Sequence, residues 1–214
     1  MTSAPGGGPS LTDRLFHFGG ELAYALILAV VWLVASIPII TIPAATAAVY
    51  GTIGVHVVDG SREYVAPFRA AFVPAFTRAT WRGLAVLVVG LLTGFNAFYY
   101  LRVLDSSGLA LTLGIVQVFL AAIALVFFSL FLLLVGLHYA RGYQGAPPRL
   151  RDVAETVRQF PLAAVAILAV SIGVPAIAIT LVLWQFAIFI PGVICYLHVW
   201  LLMRLHLPEL LPNR

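Results

Sequence analysis

The chain has 214 residues, of which 62% are hydrophobic and 9% charged. Soluble domains carry about 25% charged residues, so this chain cannot cover a water-facing surface, and soluble enzyme folds are excluded. All twelve basic residues are arginine and the net charge is +4, without a basic tract of the kind that tracks a nucleic-acid backbone, which removes nucleic acid as a partner. The single Cys195 permits no disulfide framework or multi-thiolate zinc site within one chain.

Four uncharged stretches organise the sequence: 22–58, 83–101, 106–140 and 159–203. A helix needs about 20 residues to cross a hydrocarbon core about 30 Å thick, so the first and last stretches are long enough for two crossings. The expectation is an all-α, polytopic transmembrane helix bundle of six spans, near 22–41, 43–58, 82–102, 109–139, 161–183 and 185–206, in one domain over 21–207. Residues 1–20, a disordered tail that is Gly- and Pro-rich from Ala4 to Pro9 and a short cytoplasmic entry, precede it, and a short cytoplasmic tail, 208–214, follows. Five spans plus a re-entrant half-helix is the alternative, because the second arm offers only about 15 residues after Pro43. Ala45-Thr46-Ala47 has the small-residue form of a signal cleavage site, but Leu22 to Ile40 exceeds the h-region length of about 7 to 15 residues, so an uncleaved first span is expected.

In the first stretch, Pro38 and Pro43 bracket the point where a helical hairpin turns. In the last, the turn is expected at Trp184-Gln185, with Gly173 and Pro175 as competitors. Six spans put both termini on one side, together with eleven of the twelve arginines and opposite Arg102, and the positive-inside rule then places both termini in the cytoplasm of a cell-membrane protein.

The two long links are built alike, an arrangement compatible with an internal parallel repeat. The first has an Asp59-Gly60 turn, then Val65, Phe68, Phe72, Phe76 and Ala79 at helical spacing, with Pro74 expected to interrupt or restart the helix. The second starts at Pro147-Pro148 and sets Leu150, Val153, Val157 and Phe160 on one face, with Arg149, Arg151, Asp152, Glu155 and Arg158 over the rest. Such amphipathic segments lie in the membrane interface or dock on a partner. Phe68, Arg69, Phe72, Phe76, Arg78, Arg151 and Arg158 are the candidate contacts.

Pro38-Ile39-Ile40-Thr41-Ile42 followed by Ala44-Ala45-Thr46-Ala47-Ala48 resembles the Pro-Ile-Ile-Thr-Ile-Gly-Pro-Ala-Thr-Ala-Ala run of the YesL-like family of bacterial membrane proteins. Pro38, Thr41, Pro43 and Thr46 carry the signature turn, although this chain has Pro43-Ala44 where the family has Gly-Pro. Asp59-Gly60 and the stretch from Phe68-Arg69-Ala70-Ala71-Phe72 to Phe76-Thr77-Arg78-Ala79-Thr80 are similar to the family's next loop, so the likeness covers residues 14–82. The family has no established activity. Its members are frequently encoded beside ATP-driven carbohydrate importers, so the resemblance implies an accessory of such an importer. The chain has no Glu-Ala-Ala loop to engage an importer ATPase and no phosphate-binding loop, which fits an accessory and not the importer itself.

Few groups invite chemistry. His56, His138 and His206 fall near the cytoplasmic ends of their spans and His198 about two turns deeper, and all are expected to bond headgroups or backbone, with no metal or other cofactor. Glu21 is expected to pair with an arginine, a proton-coupling carboxylate being the sharper alternative. Thr93, Asn96, Gln117, Ser129, Ser171, Thr180 and Gln185 are the polar groups within spans. Asn96 and Gln117 serve as interhelical glue or, alternatively, line a path for a small solute. Pro175 and Pro191-Gly192 are kink sites, and Trp32, Trp81, Trp184 and Trp200 fit interfacial belts. No serine has a nucleophile-elbow context and no acid pair is set up, so an enzyme is not expected. Two readings stand: a non-enzymatic accessory of carbohydrate uptake and a small-solute transporter or channel. Self-association is open to either.

Overall fold

The computed structural model describes residues 10–102, 108–143, 146–180 and 189–205. The expected turn at Trp184-Gln185 and His206 lie outside them. Among the described residues there are eight α-helices and no strand: α1 (Leu11–Ala35), α2 (Ile42–Asp59), α3 (Val65–Arg78), α4 (Thr80–Arg102), α5 (Gly108–Ala140), α6 (Leu150–Gln159), α7 (Pro161–Thr180) and α8 (Ile190–Leu205). Five of these (α1, α2, α4, α5 and α7) are long and apolar enough to cross a membrane, and α8 carries a shorter apolar run, Ile190–Leu202. The chain is an all-α helical bundle of a multi-pass membrane protein.

α1 opens on a reciprocal cap: the Ser10 hydroxyl accepts from the Asp13 amide at 3.1 Å, and the Asp13 carboxylate accepts from the Ser10 amide at 3.1 Å. It ends before Pro38, where a short 3-10 turn, Ile39–Thr41, reverses the chain. The Thr41 hydroxyl clasps that turn against the carbonyls of Ala35 and Pro38, both at 2.5 Å. Pro43 occupies the first turn of α2, where its missing N–H has no intrahelical partner to lose. The hairpin is then pinned across its arms, because Trp32 donates its indole N–H to the Thr46 hydroxyl at 2.9 Å.

α2 is the central helix, with 72% of its apolar stretch buried against 6% for α4. Its contacts are made by small residues. A Cβ on Gly51 would strike the Gly136 carbonyl, and one on Gly136 would strike the Ala47 carbonyl, so α2 and α5 cross backbone to backbone. Gly60, at φ 67°, ends α2 in the left-handed conformation that glycine adopts without cost, and its N–H bonds the His56 carbonyl.

Two expectations are corrected along α3. Pro74 neither interrupts nor restarts the helix, which runs unbroken from Val65 to Arg78, because losing one amide donor leaves the rest of the ladder intact. Nor do residues 59–82 all gather at one end of α2. α3 packs back along α2, and Gly83 at the start of α4 meets the Pro43 ring, so Arg82 stands at the Pro43 end and Ser61 at the other, and the eleven arginines expected on one side do not all share it. α4 and α5 continue as a hairpin with Gly90 against Ala124 and Gly114 against Leu101. α6 is capped by Asp152, whose carboxylate accepts from the Arg149 amide at 2.7 Å, and buries Val153 and Thr156. α7 accommodates Pro175 within a continuous helix, and Gly192 brings α8 onto Ala25 and Ala29 of α1.

Candidate functional site

Two polar centres join α2 to the helices around it. The first is built where α2 ends. His56 lies in the last turn, and the left-handed residue Gly60 folds the following link back so that the Ser61 carbonyl reaches His56 Nδ1 at 2.7 Å. On its other side, His56 Nε2 lies 2.8 Å from Glu21 Oε2, and the Tyr196 hydroxyl of α8 donates to the same oxygen at 2.6 Å. Tyr24, nearly one turn beyond Glu21, stacks on the His56 ring at 4.1 Å between centroids, and its hydroxyl reaches the Glu63 carbonyl at 3.5 Å. His17 stands one turn before Glu21, at 3.8 Å from Oε1.

The expected Glu21–arginine pair is therefore replaced: among the described residues the ion-pair partners of Glu21 are His56 and His17. Arg62, the basic residue nearest in the link, is carried past by the turn at Gly60 and lies over Gly20, with its Nη2 3.9 Å from where a Cβ would be.

The second centre is fully inside. His198 of α8 has no exposed surface. Its Nδ1 lies 2.6 Å from the Tyr50 hydroxyl, and its Nε2 lies 3.1 Å from the Ile167 carbonyl and 3.2 Å from the Ser171 hydroxyl. Cys195, buried, and Ser129 lie beside the same tyrosine. The residue is thus no headgroup ligand; it ties α2, α7 and α8 together in the core. Tyr50 and Tyr196 were invisible as partners, because nothing local in the sequence aims Tyr50 at a histidine 148 positions away or Tyr196 at a carboxylate 175 positions away.

A cavity of about 720 Å³ opens between α1 and α8, with Glu21 and Tyr196 in its wall, Leu22 and Trp200 as apolar lining and Asp13 and Arg14 toward the start of α1. Among the described residues no three His, Cys, Asp or Glu side chains converge in a metal-binding group.

The other singled-out residues fall in separate places. Pro38, Thr41, Pro43 and Thr46 meet at the α1–α2 hairpin. Phe68, Phe72 and Phe76 stack successively along α3 at 5.7 and 6.3 Å, but Phe68 and Phe72 pack on the core and only Phe76 is exposed, beside exposed Arg69 and Arg78. A groove of about 700 Å³ follows this helix, with Glu63, Val65, Arg69, Val73, Arg78 and Tyr139 among its lining. Arg151 and Arg158 are exposed on α6, where Arg151 borders a cavity of about 810 Å³ with His138, Pro147 and Pro148. Asn96 is exposed on α4, while Gln117 is half-buried on α5 with its Oε1 enclosed and unbonded; the hairpin register sets the two at one level, but neither lines any of these cavities.

Protein-family models, curated proteins and solved structures give no match to the chain.

Proposed function

We propose that the chain is a non-enzymatic accessory of a carbohydrate uptake system, held in the cell membrane and touching importer subunits through α3. The observation that supports this reading best is the surface of α3, where the exposed Val65 and Val73 alternate with Arg69 and Arg78 along a groove and Phe76 is exposed on the same helix. Apolar side chains rimmed by arginine suit a protein partner better than lipid alone. The resemblance of residues 14–82 to YesL-like proteins supplies the association with carbohydrate import.

The test is affinity purification from native membranes after mild crosslinking, comparing the natural chain with a variant carrying Val73→Ser, Phe76→Ser and Arg78→Ser. Phe68 and Phe72 are kept, since both pack on the core and their loss would unsettle the fold. Recovery of importer subunits with the natural chain and not with the variant is the expected result. Recovery of the chain alone in both cases would overturn the proposal.

A second reading, movement of a small solute by the chain itself, is favoured by Glu21 facing a cavity between α1 and α8. Asn96 and Gln117 give it less support, being remote from that cavity. Flux in liposomes that falls on Glu21→Gln would promote this reading over the first.

A further inference from the structure

The two buried histidines differ in what their neighbours demand of them. A backbone carbonyl only accepts, so at His198 the Ile167 carbonyl fixes a proton on Nε2, and the Tyr50 hydroxyl donates to Nδ1. A neutral imidazole satisfies both contacts. At His56 the Ser61 carbonyl fixes the proton on Nδ1, which leaves Nε2 to face Glu21 Oε2 at 2.8 Å. A neutral imidazole and an ionised carboxylate would there present lone pair to lone pair. The contact forms only with one further proton between the two atoms, carried either as imidazolium beside carboxylate or as imidazole beside carboxylic acid. The Tyr196 hydroxyl cannot supply it, because its proton is already directed at Oε2.

We propose that Glu21 and His56 form a one-proton binding site that latches α1 to the end of α2 and exchanges its proton with water through the cavity between α1 and α8. The inference is independent of which reading of function holds. The groups that face the site are His17 and Tyr24 from α1, Tyr196 from α8, and the Ser61 and Glu63 carbonyls from the link after α2, with the Arg62 side chain over Gly20. Asp13 and Arg14 stand farther along the cavity, Asp13 already engaged by the Ser10 cap. Release is a simple transfer: the proton leaves the Nε2–Oε2 bond for water, the imidazole stays neutral with Nδ1–H on Ser61, and Glu21 remains a carboxylate bonded by Tyr196. The 2.8 Å contact then opens, and the end of α2 with its link parts from α1. The latch is therefore closed at low pH and opens as the pH rises.

The test is solid-state NMR of the full chain in lipid nanodiscs, with 15N-labelled histidine and 13C-labelled glutamate, at about pH 6 and about pH 9. His56 is assigned by difference against His56→Asn, and Glu21 against Glu21→Gln. At the lower pH the expected state has Nδ1–H together with one proton on the pair, seen as Nε2–H beside a carboxylate or as bare Nε2 beside a carboxylic acid. At the higher pH that second proton is lost. In Glu21→Gln the replacing amide donates to Nε2, so the His56 signals should not change between the two pH values. A bare Nε2 facing an ionised Glu21 at the lower pH would overturn the proposal, as would an unchanged His56 titration in Glu21→Gln.

Discussion

At the scale of single residues, the consequence of a buried polar contact depends on what its loss leaves behind. Tyr50→Phe removes the donor to His198 Nδ1 in a fully buried setting, and an unsatisfied buried acceptor costs about 1–3 kcal/mol. Trp32→Phe also deletes a hydrogen bond, but Thr46 is left with a hydroxyl that still donates to the Ile42 carbonyl, so the expected cost is a net hydrogen bond, about 0.5–1.5 kcal/mol. Thermal unfolding of both variants in the same lipid should rank Tyr50→Phe as the more damaging, and the opposite ranking would show that His198 finds another donor.

At the scale of helices, glycine and alanine decide which pairs approach. Leucine at Gly136 would have to displace the Ala47 carbonyl, and at Gly51 the Gly136 carbonyl, whereas nothing lies within 4 Å of a Cβ added at Gly94. Overpacking typically costs about 1–3 kcal/mol, so Gly136→Leu and Gly51→Leu should each lower the unfolding temperature while Gly94→Leu leaves it nearly unchanged. The same small residues explain why α3 departs from the expectation of a segment lying across the membrane face. The spacing of Phe68, Phe72 and Phe76 announces one apolar face, but Ala71, Ala75 and Ala79 form a second that is buried almost completely. Alanine adds little to a hydropathy pattern and much to how near two backbones come. Hydropathy therefore predicts that α3 is a helix without showing which side of it is buried.

At the scale of the whole molecule, the all-helical membrane class was legible because it follows from the shortage of charge and the length of the apolar runs. The α1–α2 turn was legible for a related reason: Pro38, Thr41 and Pro43 act within a few residues of one another. The polar centres were not, since they depend on how α1, α2, α7 and α8 are arranged in space. Glu21 looked like a carboxylate awaiting an arginine because sequence shows charges and hides distance, and His198 looked interfacial because its tyrosine partner comes from another helix. α5, at 33 residues, is about 50 Å long and outreaches a hydrocarbon core of about 30 Å, so it must tilt or project from the bilayer. Against such an uneven frame, the bundle is held at α1, α2 and α8 by a few specific contacts, of which Glu21–His56 is the nearest to an ion pair. A double-mutant cycle on that pair tests the arrangement most directly, with thermal unfolding of the natural chain, Glu21→Ala, His56→Ala and the double variant in nanodiscs at about pH 6. The double variant should lose less than the sum of the single losses, by at least about 1 kcal/mol; losses that add within about 0.5 kcal/mol would mean that Glu21 and His56 do not hold α1 to α2.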